Sequence, residues 1–448
     1  MRGSTLMGNG PYRTANYVKS TLWTIPFLAI ALVLVIAPVV RMLDAQLGWN
    51  SGLGVAGAQA LYQTVITLAL SFLVFTFGSL LVALQVASVQ LTPRIIATTL
   101  LRDNILRYTV GLFVFSLIFA VIALDRLNAT VHETVTLLTA ILGISCIAAF
   151  LFLIDHAARL LRPVSMLACV GDAGLAVIES VYPHQVLDRG RVPDTDTTAG
   201  GPRRIVRHAG PPYTLLAVDC ASLVDEARES GGIIEVVPQI GDFVADGEPL
   251  FVLYGRAAAL DDRIVRSAVA FGSERTMDED PLFSFRIIVD IALKALSPAI
   301  NDPTTAVLAL DQIHRLLRAV GKRQLHAATM ADDHGHRRLI YRTPSWEDFV
   351  CLACIEIRRY GAGHVQIARR LRAMFDDLST SLPPYRRDLL NRESRALTRM
   401  LDSLYTLPDD LSLARIPDLQ GLGASGGFVL AHRESAVRHG EMSRRSSD

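Results

Sequence analysis

Ser297-Pro-Ala-Ile-Asn-Asp-Pro303 gathers side chains that can hold a ligand where the chain changes direction. Pro298 disfavours helical geometry at Ser297 and so ends one helix, while Asp302 followed by Pro303 reads as an N-cap with proline at the first helical position. A helix start with Ser297, Asn301, Thr304 and Thr305 nearby can take a phosphate, another anion or a nucleotide edge on its free N–H groups. The carboxylate of Asp302 opposes an anion and suits a cation or a small polar ligand better. The same residues also make a tight, well-capped turn that binds nothing, and the sequence is compatible with both readings.

Other reactive residue types lack the company that chemistry needs. Cys351 and Cys354 form a C-x-x-C, but they fall in a helix expected to start at Ser345 with Asp348 in the capping-box position, and no second ligand pair accompanies them. His334 and His336, beside Asp332 and Asp333, read as the polar tip of a hairpin with arms Gln324 to Thr329 and Arg337 to Arg342. Glu274, Asp278, Glu279 and Asp280 cluster in a connection where such runs are usually solvated. Walker and H-E-x-x-H motifs are absent from the sequence. No catalytic residue, metal site or cofactor is therefore assigned.

The elements that carry these residues divide between two solvents. Leu22 to Met42, Leu61 to Val89, Leu106 to Leu124 and Glu133 to Ile154 are apolar enough to cross hydrocarbon as helices, which takes roughly 20 residues. No charged residue stands between Asp44 and Arg94. Arg2, Arg13 and Lys19 precede the first span, Arg94, Arg102 and Arg107 fall between the second and third, and Arg159 and Arg162 follow the fourth. Basic residues resist translocation, so both termini are expected in the cytoplasm of a bacterial cell, with the chain multi-pass in the inner membrane. The lipid bilayer is then its first partner. A net charge of +1, without a basic stripe interleaved with aromatics, gives no nucleic-acid partner. The five cysteines suit a reducing compartment and imply no disulfide framework.

Thr64, Thr67, Ser71, Gly78 and Gln85 fall within roughly 60° of one another on a helix turning about 100° per residue. Such a polar and small stripe along a span lines a water-filled path or a subunit contact, and small residues also serve plain helix packing. Four helices alone enclose little space, so a pore would require a homo-oligomer. The leading expectation is a homo-oligomeric channel or transport-like protein with a cytosolic regulatory domain. The alternative is a membrane-anchored scaffold or signalling protein whose cytosolic bundle binds a cytosolic protein.

The expected fold is thus an α-helical integral membrane protein with four transmembrane helices, followed by a cytosolic α+β region. Residues 1–21 form a cytosolic N-terminus, 22–156 the membrane domain, and 157–202 a connecting helix and linker. A small β-rich module at 203–256 precedes a helical domain at 257–416 and a disordered tail at 417–448. Helices are expected over Glu347 to Tyr360, Val365 to Leu378 and Pro384 to Leu404. Within the β module, Val237 to Leu250 resembles the hammerhead turn of lipoyl and biotinyl carrier domains, but no lysine occupies a hairpin tip where a cofactor would attach.

Five motifs share an order along the chain: Ala87-Ser-Val-Gln-Leu-Thr-Pro-Arg94, Ser230-Gly-Gly followed by Val237-Pro-x-x-Gly-Asp242, Gly272-x-Glu-Arg-Thr276, Asp280-Pro-Leu-Phe283 and Asp290 to Pro303. Together they resemble a bacterial membrane-protein family catalogued as domain of unknown function 2254, over roughly residues 20 to 410. The resemblance implies four membrane helices and a cytosolic domain, and it carries over no catalytic activity.

Overall fold

Uncharged apolar runs can satisfy their backbone groups in hydrocarbon only as helix or closed barrel. The computed structural model, which describes residues 24–47, 53–90, 103–127, 131–160, 162–185, 203–325 and 328–424, folds them as four long helices. These are α1 (Thr24–Leu47), α2 (Val55–Gln90), α3 (Asn104–Asp125) and α4 (Glu133–Leu160). They pack together in a unit that spans Arg13–Met166. Val33, Phe119 and Leu142 meet in one part of its interior, and Leu106, Val110 and Leu153 in another. Phe72 stacks on Phe150 with ring centroids 4.2 Å apart. Side chains of neighbouring helices press on two glycines: a Cβ on Gly111 would lie 2.7 Å from Ile25 Cγ2, and one on Gly143 would lie 2.9 Å from Val65 Cγ2. Phe27, Leu34, Val74, Leu81, Ile144 and Leu151 stand outward, the surface a bilayer would cover.

The connecting helix expected after the fourth span is separate from it. α5 (Pro163–Val181) starts at Pro163, whose missing N–H costs nothing at a first turn. By length and composition α5 is apolar enough to cross a membrane, yet its residues from Leu167 belong to the second unit. There Gly171 lies against Gln312, Gly174 against Ser284 and Leu316, and Asp172 pairs with Arg315 at 2.7 Å.

The second unit builds two sheets. β1 (Arg203–Arg207), β5 (Pro249–Tyr254), β3 (Ile233–Val236), β8 (Arg337–Tyr341) and β7 (Ala328–Ala331) form one in that order. β3 and β8 run parallel and the other neighbours antiparallel. β4 (Phe243–Val244), β2 (Tyr213–Val218) and β6 (Val269–Gly272) form the other. Strands from outside residues 203–256 therefore complete both sheets, because Leu339 of β8 enters the same core as Ile234, Val236, Phe251 and Leu253. Helix α6 (Cys220–Ser230) closes that core with Leu223 and Ala227. Asp219 caps its start, and Gly231, at φ 71°, ends it in the left-handed conformation that glycine adopts without a Cβ penalty. After the short α7 (Asp262–Ser267), the chain becomes mostly helical through α8 (Pro281–Ala295), α9 (Pro303–Gly321), α10 (Trp346–Gly361), α11 (Val365–Ser381), α12 (Pro384–Leu404) and α13 (Pro408–Arg415). Apolar residues of α8 at helical spacing, Phe285, Ile288 and Ala292, are buried. Phe285 meets Phe349 of α10 at 5.3 Å between ring centroids. Burying each such side chain contributes about 1.5 to 3 kcal/mol.

The boundary expected at residue 417 falls inside packed chain. The carbonyls of Ile416, Gly423 and Ala424 accept hydrogen bonds from the guanidinium of Arg369 on α11, at 3.1, 3.2 and 3.0 Å. Asp418 accepts from the backbone N–H groups of Gln420, Gly421 and Gly423. Glycine and serine content suggests a solvated tail, and a buried arginine overrides it. Residues 425–448 lie outside the described chain.

Candidate functional site

On α2 the buried face and the five-residue stripe point in opposite directions. Ala58, Tyr62, Val65, Ala69 and Thr76 face the other helices, whereas Thr64, Thr67, Ser71, Gly78 and Gln85 are all exposed on the outside of the four-helix unit. The hydroxyls of Thr64 and Thr67 donate to the carbonyls of Ala60 and Gln63 in their own helix, at 2.7 and 2.9 Å. A Cβ added at Gly78 would meet nothing within 4 Å, unlike one at Gly111 or Gly143. The outward surface is not polar throughout, since the large side chains of Phe75 and Val82 share it. Within the unit, the hydroxyl of Tyr62 lies 2.9 Å from that of Thr136. Beside it a cavity of about 40 Å³ is lined by Arg126 and His132 among others, room for a water or two.

At the other end of α3, the carboxylate of Asp103 accepts from the Leu106 N–H and lies 2.8 Å from His156 Nε2. Arg107, 8 % exposed, donates to the Thr24 hydroxyl at 2.5 Å. Sequence reasoning passed over this group because its members lie on three helices.

The Ser297 to Pro303 segment is a helix-to-helix turn with its polar groups turned on itself. Asp302 accepts from the Thr305 N–H at 3.0 Å and from the Thr305 hydroxyl at 2.5 Å, and the Ser297 hydroxyl donates to the Lys294 carbonyl at 2.7 Å. The Asp302 and Asn301 N–H groups donate back to Ala295 and Ser297. Asn301 has φ 49°, the single non-glycine residue with positive φ among the described residues. Asparagine tolerates that conformation better than most residues. Asn301 and Thr304 are exposed. Replacing Asp302 by Ala is expected to cost about 0.5 to 2 kcal/mol of stability, read as a lower unfolding midpoint of the purified protein. An unchanged midpoint would show that the cap contributes nothing.

The acidic run after β6 is only partly solvated. Glu274 and Asp278 are exposed, but Asp280 is buried as the N-cap of α8, accepting from the Phe283 N–H at 3.1 Å. Burial pushes Asp280 up to about 6 and Glu279 up to about 7. Arg275 lies 4.0 Å from Asp280 and donates through Nε to the Gly241 carbonyl at 2.8 Å. A Cβ on Gly241 would come 2.5 Å from the Asp280 carboxylate. Three motifs separated along the chain, those of Gly241, Arg275 and Asp280, thus meet at one point that ties the β region to α8.

Cys354 is buried in the helical core and its thiol is pushed up by burial, while Cys351 is partly exposed. Asp332 at the hairpin tip accepts from the His334 and His336 N–H groups and from Arg338, which hold its carboxyl down at about 2.

Residues 19–377 match the family model described as "Predicted membrane protein (DUF2254)". An uncharacterised protein of Mycobacterium tuberculosis strain H37Rv is 25% identical over 378 residues, covering 80% of this chain and 72% of its own length. An uncharacterised protein of Mycobacterium bovis strain AF2122/97 matches to the same extent. No solved structure matches the chain. Since the family match takes in the four apolar helices, both sheets and α8 to α10, the chain belongs to the DUF2254 family of predicted membrane proteins.

Proposed function

We propose that this protein works as a homo-oligomer in a bacterial inner membrane, with both termini in the cytoplasm. Protomers meet through the Thr64, Thr67, Ser71, Gly78 and Gln85 face of α2, and the assembly conducts or moves a solute under control of the C-terminal region. The observation that carries this reading is Gly78. Glycine weakens a helix unless something approaches it closely, as Ile25 approaches Gly111 and Val65 approaches Gly143. Gly78 has no such neighbour among the described residues, so the reading supplies one from a second copy. Gln85 supports it too, because an amide facing hydrocarbon loses its hydrogen bonds at a cost of several kcal/mol.

A scaffold reading is favoured by different facts. Thr64 and Thr67 spend their donors within their own helix, and Phe75 and Val82 interrupt the polar surface, as in a dry packing interface. Single cysteines separate the two: Thr64→Cys, Ser71→Cys and Gly78→Cys, with Val65→Cys and Ala69→Cys on the buried face as controls, in a background without native cysteines. A conducting assembly predicts reaction of the stripe positions with a small charged thiol reagent at several depths, and a changed ion flux in vesicles. Protection throughout with no flux, but disulfide crosslinking between protomers, promotes the scaffold. Absence of any crosslink, with the protein monomeric in a bilayer, rejects the homo-oligomer and with it conduction.

A further inference from the structure

The C-terminal unit holds a cavity of about 660 Å³ between α10 and α12, lined by Trp346, Glu347, Tyr385, Arg386, Arg392 and Arg395 among others. That volume lies in the range of small-molecule sites. Arg386 stands in its wall, 6 % exposed. Its guanidinium carbon lies 5.3 Å from the Trp346 ring centroid and 5.1 Å from that of Tyr385. One nitrogen donates to the Arg323 carbonyl at 3.4 Å, a long hydrogen bond, and Nε has no hydrogen-bond partner among the described residues. No carboxylate pairs with Arg386 among those residues, and burial lowers its pKa from the usual arginine value. Aromatic stacking compensates part of the lost hydration. It does not supply the counter-charge that a buried cation ordinarily has.

The rest of the wall adds positive charge at helical spacing. Tyr385, Asp388, Arg392 and Arg395 follow one another along α12 at intervals that keep them on one face. Arg392 pairs with Glu347 at 3.1 Å, both largely exposed, and such a pair contributes little and is readily exchanged for a better partner. Arg395 is exposed, with no carboxylate partner among the described residues. Three guanidinium groups thus face two carboxylates, Glu347 and Asp388, across one cavity. The planar guanidinium fork matches phosphate oxygens in bidentate fashion. Tyr385, 58 % exposed, leaves a ring face beside them for a flat group.

We propose that this cavity binds a phosphate-bearing ligand, its phosphate held by Arg392 and Arg395 on their shared face of α12, with Arg386 adding positive charge from the wall, and its remainder resting on Tyr385. This inference stands independently of conduction and of subunit number. Its test uses the full chain in nanodiscs of phosphatidylcholine, titrated calorimetrically with pyrophosphate and with ATP. Saturable binding is expected for at least one probe, weakening with added salt. Arg392→Gln and Arg395→Gln, both at exposed positions, are each expected to weaken it about tenfold or more without moving the melting temperature. Repeating the titration in nanodiscs containing phosphatidylglycerol identifies the source. Competition by the anionic lipid supports the site as one for a headgroup phosphate, and indifference supports it as one for a soluble ligand. Binding of both probes weaker than about 1 mM, without competition-sensitive lipid retention, overturns the proposal. So does tight binding that survives the Arg392→Gln/Arg395→Gln double substitution.

Discussion

Replacing Arg369 by Met is expected to destabilise the C-terminal unit by about 2 to 4 kcal/mol and to expose residues 416–424 to proteolysis. Arg369 is 2 % exposed and gives its guanidinium to three main-chain carbonyls, those of Ile416, Gly423 and Ala424. Hydrogen bonds to a charged group contribute about 1.5 to 3 kcal/mol each. Their sum is an upper bound, because the segment can lift away and hydrate its freed carbonyls. Methionine keeps much of the volume and apolar length of the side chain, so the loss reads the hydrogen bonds more than a cavity. A denaturant titration gives the stability, and limited digestion followed by mass spectrometry locates the cut. Wild-type stability with an uncut segment would mean that Asp418, with its three backbone donors, and Gln366, which donates to the Gly421 carbonyl at 2.6 Å, hold the segment unaided.

Gly232→Ala is expected to cost about 3 kcal/mol or more, the upper end of what overpacking does. A Cβ there would collide with the Ala257 backbone nitrogen and stand 2.6 Å from the Tyr254 carbonyl oxygen. Both obstacles are main chain at the end of β5, where Ile233 pairs with Tyr254. Neither can move as a side chain would, so the β3–β5 register has to shift. Gly247→Ala makes the contrast: at φ 79° with nothing within 4 Å, it costs only the left-handed backbone penalty of about 1 to 2 kcal/mol. Unfolding midpoints of the two variants measured side by side check the order. Equal losses would show that the close approach to Ala257 and Tyr254 costs no more than a left-handed backbone position.

By itself the sequence determined the apolar spans and the helix starts, which rest on local pattern. An uncharged stretch from Asp44 to Arg94 has no stable solvent but lipid, and Ser345 with Asp348 makes the reciprocal capping box that starts α10. Asp302 before Pro303 likewise starts α9 where the dipeptide places it. The direction in which the α2 stripe points was out of reach, because helical periodicity groups Thr64 with Gly78 and cannot say whether that group turns toward α3 and α4 or away. By length and composition α5 also qualifies as a membrane span, whereas the close packing of Gly171 and Gly174 and the pairing of Asp172 and Glu179 with Arg315 and Arg323 place it among the helices of the second unit. Tertiary structure alone decided that Leu339, more than 80 residues beyond β5, enters the core of the first sheet. It also decided that Gly241, Arg275 and Asp280 meet, that Trp346 and Glu347 share a cavity with Arg386 and Arg392, and that a glycine-rich segment is held by Arg369. Each depends on a contact between residues far apart in the chain, where what is buried and what is paired is set by packing and leaves no periodicity to read.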